Sequence, residues 1–281
     1  MTIKKKGFLI IIICIVIICV VLLPLLLTHK TSIPVYISLT SIYKNQNILY
    51  KTLKTLLQQS ICVNQIYLYL SSDEFFLDTG FKAKKITDKN LSYLLKKNKF
   101  KITLKWVKNI GSYRKLVPLL KQKWKEDCII ITTDDDTAYN KDLVKNLLTD
   151  YTTHKCVISY RGFTPRMQTL YDFNYEKRRR HVDKHKYNFA TGKGGILYKP
   201  QFFHKTPIIL REDIFLKLCP HQDDVWFYLL RMYNDIPCYI GNKEYQDDEF
   251  NNNGLFVTVN KYNNMNTTVY MKTLEYLNSM F

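Results

Sequence analysis

The sequence predicts an α/β protein: a mixed, mostly parallel, Rossmann-like sheet flanked by helices and preceded by one N-terminal membrane-spanning helix. Three observations carry this. Short β-branched runs alternate with amphipathic stretches of helical period along most of the chain, the pattern of a doubly wound sheet. One run, Ile129-Ile-Ile-Thr-Thr133, is apolar or β-branched throughout and reads as a strand covered on both faces. It ends at once in Asp134, Asp135 and Asp136, and open α/β sheets bind ligands just outside the carboxyl ends of their strands.

The elements follow in order. Lys4, Lys5 and Lys6 precede an uncharged apolar run from Phe8 to Leu27, long enough to span a bilayer as a helix. The lysines predict a cytoplasmic tail over 1–7, and no small-residue cleavage site follows the run, so 8–27 reads as an uncleaved signal anchor. A short stem, 28–33, leads to one catalytic domain over 34–281. The expectation is a single-pass type II protein of an ER- or Golgi-like endomembrane, with its domain in the lumen. Asn90-Leu-Ser92 and Asn266-Thr-Thr268 match the glycosylation acceptor pattern. Strands are expected at 34–40, 65–70, 102–106, 129–133, 156–160, 196–198 and 237–240. Helices are expected at 48–59, from about Tyr113, at 141–151, 223–232 and 268–281, and the stretch 177–181 reads as a basic loop.

Composition narrows the partners. A hydrophobic share of 46% is ample for one large core, and a formal charge of +18 favours an anionic ligand. The seven cysteines include no C-x-x-C pair, which argues against a zinc site.

The chemistry concentrates in two acidic elements. Asp134–Asp136 crowd three carboxylates together, an arrangement that calls for a compensating cation. Hard aspartate oxygens suit Mn²⁺ or Mg²⁺, which are held by one or two carboxylates together with substrate phosphates. The plainer alternative is an acidic turn capping the next helix. Cys219-Pro-His221-Gln-Asp223-Asp224-Val-Trp226 is the second element. There Asp223 is either a helix cap or, with Asp224, a general base, and His221 is the histidine placed beside candidate chemistry. Between them lie Gly111-Ser-Tyr-Arg-Lys115, a turn with cations suited to a phosphate, and Gly192-Lys-Gly194-Gly195, a flexible turn that is not a Walker loop.

Taken in order, the strand Val35–Leu39, the Gly111–Pro118 segment, the Ile129–Tyr139 segment, Thr191–Tyr198 and Cys219–Trp226 resemble the GT-A-fold, family-2-like glycosyltransferases. The resemblance spans about Ile33 to Ile240. It implies that Asp134 and Asp136, the ends of a D-x-D motif, hold a divalent metal, usually manganese, on the diphosphate of a nucleotide sugar; His221, beside Asp223, is a further candidate ligand by its residue type. It places Asp135 on the ribose or the same metal, Lys115 at the nucleotide, Gly194 and Gly195 at an acceptor-side turn, and Trp226 beside the sugar. Asp223 or Asp224 takes the position of the catalytic base in inverting members. Ser112 and Tyr113 depart from the Gly-Pro turn of related chains.

The function expected is metal-dependent, inverting transfer of a sugar from a nucleotide-sugar donor to a glycan, protein or lipid hydroxyl. Nucleic acid is not expected as a partner. The competing readings are a metal-dependent phosphoesterase or nucleotidyltransferase, which also clusters aspartates around phosphates, and a membrane-tethered module that binds anionic glycans without catalysis.

Overall fold

The computed structural model describes residues 33–179, 183–250 and 265–280. The expected cytoplasmic tail, signal anchor and most of the stem lie outside them. Among the described residues no helix is long and apolar enough to cross a membrane. That finding stands against the expected single-pass luminal localisation, which rested on Lys4–Lys6 and the run 8–27, both outside the described residues.

The domain opens with β1 (Val35–Thr40), α1 (Gln46–Leu57) and β2 (Gln65–Leu70). Next come α2 (Lys89–Lys97) and β3 (Ile102–Trp106), then a 3₁₀ turn, Gly111–Lys115, that runs into α3 (Val117–Gln122). β4 (Ile129–Thr132), β5 (Thr137–Tyr139), α4 (Leu143–His154) and β6 (Val157–Ser159) complete the first half. The second half contains the short strands β7 (Gly162–Pro165), β8 (Arg178–Arg179), β9 (Asp183–His185) and β10 (Phe189–Ala190), followed by β11 (Ile196–Tyr198). α5 (Glu212–Leu218), α6 (Asp223–Tyr233), β12 (Cys238–Ile240), β13 (Gln246–Glu249) and α7 (Met265–Asn278) close it.

The main sheet has the order β3-β2-β1-β4-β11-β6-β12-β9. β3, β2, β1 and β4 are parallel, with Leu39 opposite Leu68 and Ser38 opposite Thr132. β11 runs antiparallel between β4 and β6. The reason is the route of the chain. After β6 it stays near the carboxyl edge, building a small sheet of order β10-β7-β8, and turns directly into β11 with no crossover helix to carry it to the opposite edge. β5 leaves the main sheet to pair with β13.

The central strand shows why the sheet forms here. Ile129 and Ile131 pack into one apolar cluster with Leu39, Leu53 and Leu68, while Cys128 and Ile130 pack into another with Val117, Phe227 and Leu230. Alternate residues of one strand thus fill cores on both faces, at roughly 2 kcal/mol per buried aliphatic side chain. Several expected features change. The helix expected from Tyr113 is a 3₁₀ turn for its first three residues, and Arg178 and Arg179, expected in a loop, form β8. Arg180 and His181 lie outside the described residues. Cys62, Cys128, Cys156, Cys219 and Cys238 are free thiols, four of them buried.

Candidate active site

β4 delivers its chain to the carboxyl edge of the sheet, and Thr133–Asp136 emerge there into a cavity of about 740 Å³. The 3₁₀ turn Gly111–Lys115, the turn Gly192–Gly194 and the start of α6 face the same space. The two acidic elements, about ninety residues apart in sequence, therefore share one cavity.

Lys115 joins them. Its buried ammonium lies 3.1 Å from Asp134 Oδ1 and 3.1 Å from Asp223 Oδ2. Burial works to lower its pKa, but the carboxylates of Asp134, Asp223 and Asp224 outweigh that and hold it well above the ordinary lysine value. The crowding of three aspartates is thus relieved in part from within, by a lysine as well as by spreading their contacts. Asp134 takes Lys115. Asp135 turns inward, accepting from the Ser41 hydroxyl and, at 3.2 Å, from Asn45 Nδ2, while its carbonyl accepts from Thr52 Oγ1 at 2.8 Å. Asp136 faces the cavity, and among the described residues its carboxylate accepts a 3.4 Å hydrogen bond from Thr137 Oγ1. Burial, then the charges of Asp134 and Asp135, push the Asp136 carboxyl up to about 6.

α6 begins at the cavity with Asp223 and Asp224. Ser112 Oγ donates to Asp223 Oδ1 at 2.7 Å, so the serine that replaces the expected Gly-Pro turn orients an acidic side chain. Asp224 Oδ2 accepts from the Gly192 amide at 3.3 Å, and Asp224 Oδ1 is buried with no hydrogen-bond partner among the described residues. Burial, then Asp223, raises the Asp224 carboxyl to about 7, with Lys115 acting the other way. A carboxylate with one oxygen anchored, the other unmatched and its proton lost near neutrality can take a proton from a bound hydroxyl.

The remaining expected residues are placed differently. Trp226 is wholly buried under the site, donating Nε1–H to Ile209 O at 3.3 Å and packing on Phe215, so it does not stand beside a sugar. One turn along α6 from Asp223, the chain has already descended about 5 Å into the core. Gly195, at φ +70°, faces Leu143 and Leu147, and Gly194 lies against the Arg161 backbone. The glycine in the site is Gly192: a Cβ there would sit 2.5 Å from Lys115 Nζ and 3.0 Å from Asp134 Oδ1. His221 lies against Phe76, ring centroids 4.1 Å apart, and burial lowers its pKa. It does not join Asp134 and Asp136 in a cation cage: among the described residues no three such side chains gather as a metal site. Asn266 is buried and lines the cavity, so a glycan on it would displace the α7 packing.

A second network was not legible in the sequence. The buried Asp78 carboxylate takes Arg114 Nη2 at 3.0 Å, Asn109 Nδ2 at 3.0 Å, and the amides of Tyr43 and Gly80. It ties the loop after β2 to the 3₁₀ turn and fixes the cavity wall on the side of Ser41. Nothing local in the sequence marks it, because Asp78 and Arg114 are 36 positions apart.

A divalent ion fits part of this site. Its donors would be Asp134 and Asp136, both partly exposed to the cavity and both offering hard oxygen, with the remaining positions left to water and substrate phosphate. The raised Asp136 carboxyl is the group such a cation would relieve.

No protein-family model matches the chain, and no curated protein matches it. Among solved structures, S. aureus TarS 1–349 in complex with UDP is 16% identical with a TM-score of 0.48, covering 76% of this chain and 59% of that one. The same fragment in complex with UDP-GlcNAc is 12% identical with a TM-score of 0.45, covering 78% and 60%. The chain thus spans about three-fifths of the length of these TarS chains. The 4-diphosphocytidyl-2C-methyl-D-erythritol synthase of Anaerococcus prevotii DSM 20548 is 11% identical with a TM-score of 0.50, covering 82% of this chain and 96% of that one. At that identity the likeness is one of fold, and it agrees with the sheet described above: a Rossmann-like, mostly parallel sheet with flanking helices.

Proposed function

We propose that the chain transfers a glycosyl group from a nucleoside-diphosphate sugar to a hydroxyl acceptor, with inversion. The observation that carries this reading is the pairing across one cavity of a phosphate-side carboxylate group, Asp134 and Asp136, with a separate, partly unmatched carboxylate, Asp224, whose pKa is about 7. Asp134 and Asp136 would hold a Mn²⁺ or Mg²⁺ ion, which supplies Lewis-acid neutralisation of the leaving diphosphate. Asp224 takes the proton of the acceptor hydroxyl. That oxygen forms the new bond to the anomeric carbon as the bond to the diphosphate oxygen breaks, and the nucleoside diphosphate leaves. Lys115 holds Asp134 and Asp223 in place, and Ser112 and the Gly192 amide orient Asp223 and Asp224.

The test is a panel of UDP-, GDP-, ADP- and dTDP-sugars with and without manganese, following nucleoside diphosphate, beside mixtures of nucleoside triphosphates and sugar phosphates, following pyrophosphate. Diphosphate release from one donor, dependent on the metal and reduced at least ~100-fold in Asp136→Asn, is expected. Pyrophosphate release from the triphosphate and sugar-phosphate mixtures instead would identify a nucleotidyltransferase. Absence of both, with no metal-dependent nucleotide binding, overturns the proposal.

The pH dependence follows from Asp224. A base must be ionised, and burial has raised this carboxyl to about 7, so kcat should climb as pH rises through about 7 and level off above it. A flat profile between about pH 5 and 9 would remove Asp224 from that role.

A further inference from the structure

The cavity is also lined by a group of residues that the donor chemistry leaves unused. Their wall is the small sheet of β7, β8 and β10. Phe163 stacks on Phe189 with centroids 5.1 Å apart, and Tyr175 stands edge-on to Phe163 at 5.0 Å. The Arg178 guanidinium lies over both rings, 5.3 Å from Phe163 and 5.2 Å from Tyr175. Arg161 is held in the same wall by a 2.9 Å hydrogen bond from Nη1 to Thr191 Oγ1. Burial and then the Asp224 charge raise the Tyr175 phenol, while Arg178 and Arg161 act against them. All three charges therefore lie within electrostatic reach of one hydroxyl.

From this we infer an acceptor subsite for a pyranose-sized ring carrying an anionic group, a carboxylate or a phosphate. The inference rests on the transfer reading above, since it supplies that reaction's second substrate. The ring lies beside Arg178, which covers the Phe163 and Tyr175 rings, its hydroxyl reaches Asp224, and its anion meets Arg161 and Arg178. The chemistry favours this occupant over a neutral one. Arg161 and Arg178 both line the cavity as exposed cations, and an anion there is attracted to each. Their planar forks also match the paired oxygens of a carboxylate or phosphate. A merely solvated cation would not need the seat that Arg178 has over two rings of a cavity wall.

The test is a direct binding titration on the full chain at about 0.15 M salt, using methyl glucuronide, methyl glucoside 6-phosphate, methyl glucoside and methyl glucosaminide. At least one anionic glycoside should bind ~10-fold or more tightly than methyl glucoside, and which one does so separates carboxylate from phosphate. Arg161→Glu/Arg178→Glu should reverse the order, favouring methyl glucosaminide. Both arginines are solvent-exposed, and an unchanged Tm would show the variant is folded. Lys96→Glu/Lys97→Glu removes the same charge from the exposed last turn of α2, away from the cavity, and should keep the wild-type order. Equal binding of neutral and anionic glycosides, no binding of any, or equal loss in the α2 variant overturns the subsite. Failure of the transfer reading shows separately, as donors that release no nucleoside diphosphate.

Discussion

Asp224→Asn should lower kcat by about 10²–10⁴-fold while leaving nucleotide affinity within about threefold. Asparagine fills the same space and can keep its oxygen toward the Gly192 amide, but it cannot take a proton. The same substitution should raise stability at high pH. The folded state has lifted this carboxyl from 3.8 to about 7, so between those values the native protein holds a proton that the unfolded chain has lost. The ionised carboxylate thus costs the wild type stability increasingly as pH rises from about 4 to about 7, on the order of a few kcal/mol above that range. Thermal melts of wild type and variant should coincide near pH 4 and diverge at pH 8, with the variant melting higher. Loss of turnover combined with a higher Tm is the signature of a side chain kept for chemistry at a cost in stability. Retained kcat, or a Tm difference independent of pH, would remove Asp224 from that position.

Lys115→Met should cost about 3–5 kcal/mol of stability and abolish measurable transfer. The methionine preserves most of the volume, but the variant leaves the buried Asp223 carboxylate, and Asp134 beside it, without the ammonium that lies 3.1 Å from each. Urea denaturation at neutral pH reads the loss as a lower midpoint with an unchanged slope. The deficit should shrink in acid, because a protonated carboxyl needs no counter-charge. Adding Asp223→Asn to Lys115→Met should recover part of the stability and none of the activity. A loss under about 1 kcal/mol would mean that the two ion pairs do not organise the cavity floor.

The sheet was largely readable in the sequence because its determinants are local. Cys128–Ile131 alternate between two apolar clusters, and the unbroken apolar run that allows it is visible in four consecutive letters. The antiparallel β11 was not readable: three residues of Ile-Leu-Tyr carry no direction, which is set by the absence of a crossover helix before them. In the site, the acidic elements were legible and their coupling was not. Lys115 stands 19 residues from Asp134 and far from Asp223, and only the fold brings the three together. Trp226 misled because spacing along a sequence says nothing of depth. Asp223 stands at the cavity floor, and its neighbour one helical turn later is already core. The glycine turn misled by register, since Gly192 faces the carboxylates while Gly195 faces the leucines of α4.

The insertion of β11 beside β4 also sets the order in which the chain can assemble. β1 to β4 are made from the first hundred residues of the domain and pair with one another as they appear. The other edge of β4 must wait for Ile196–Tyr198, some 64 residues later. During synthesis at about 5–20 residues per second, an all-apolar strand edge stays open for several seconds before its partner exists. Such an edge pairs readily with its copy on another chain, so folding yield should fall with concentration much more steeply than the stability of the finished sheet would imply.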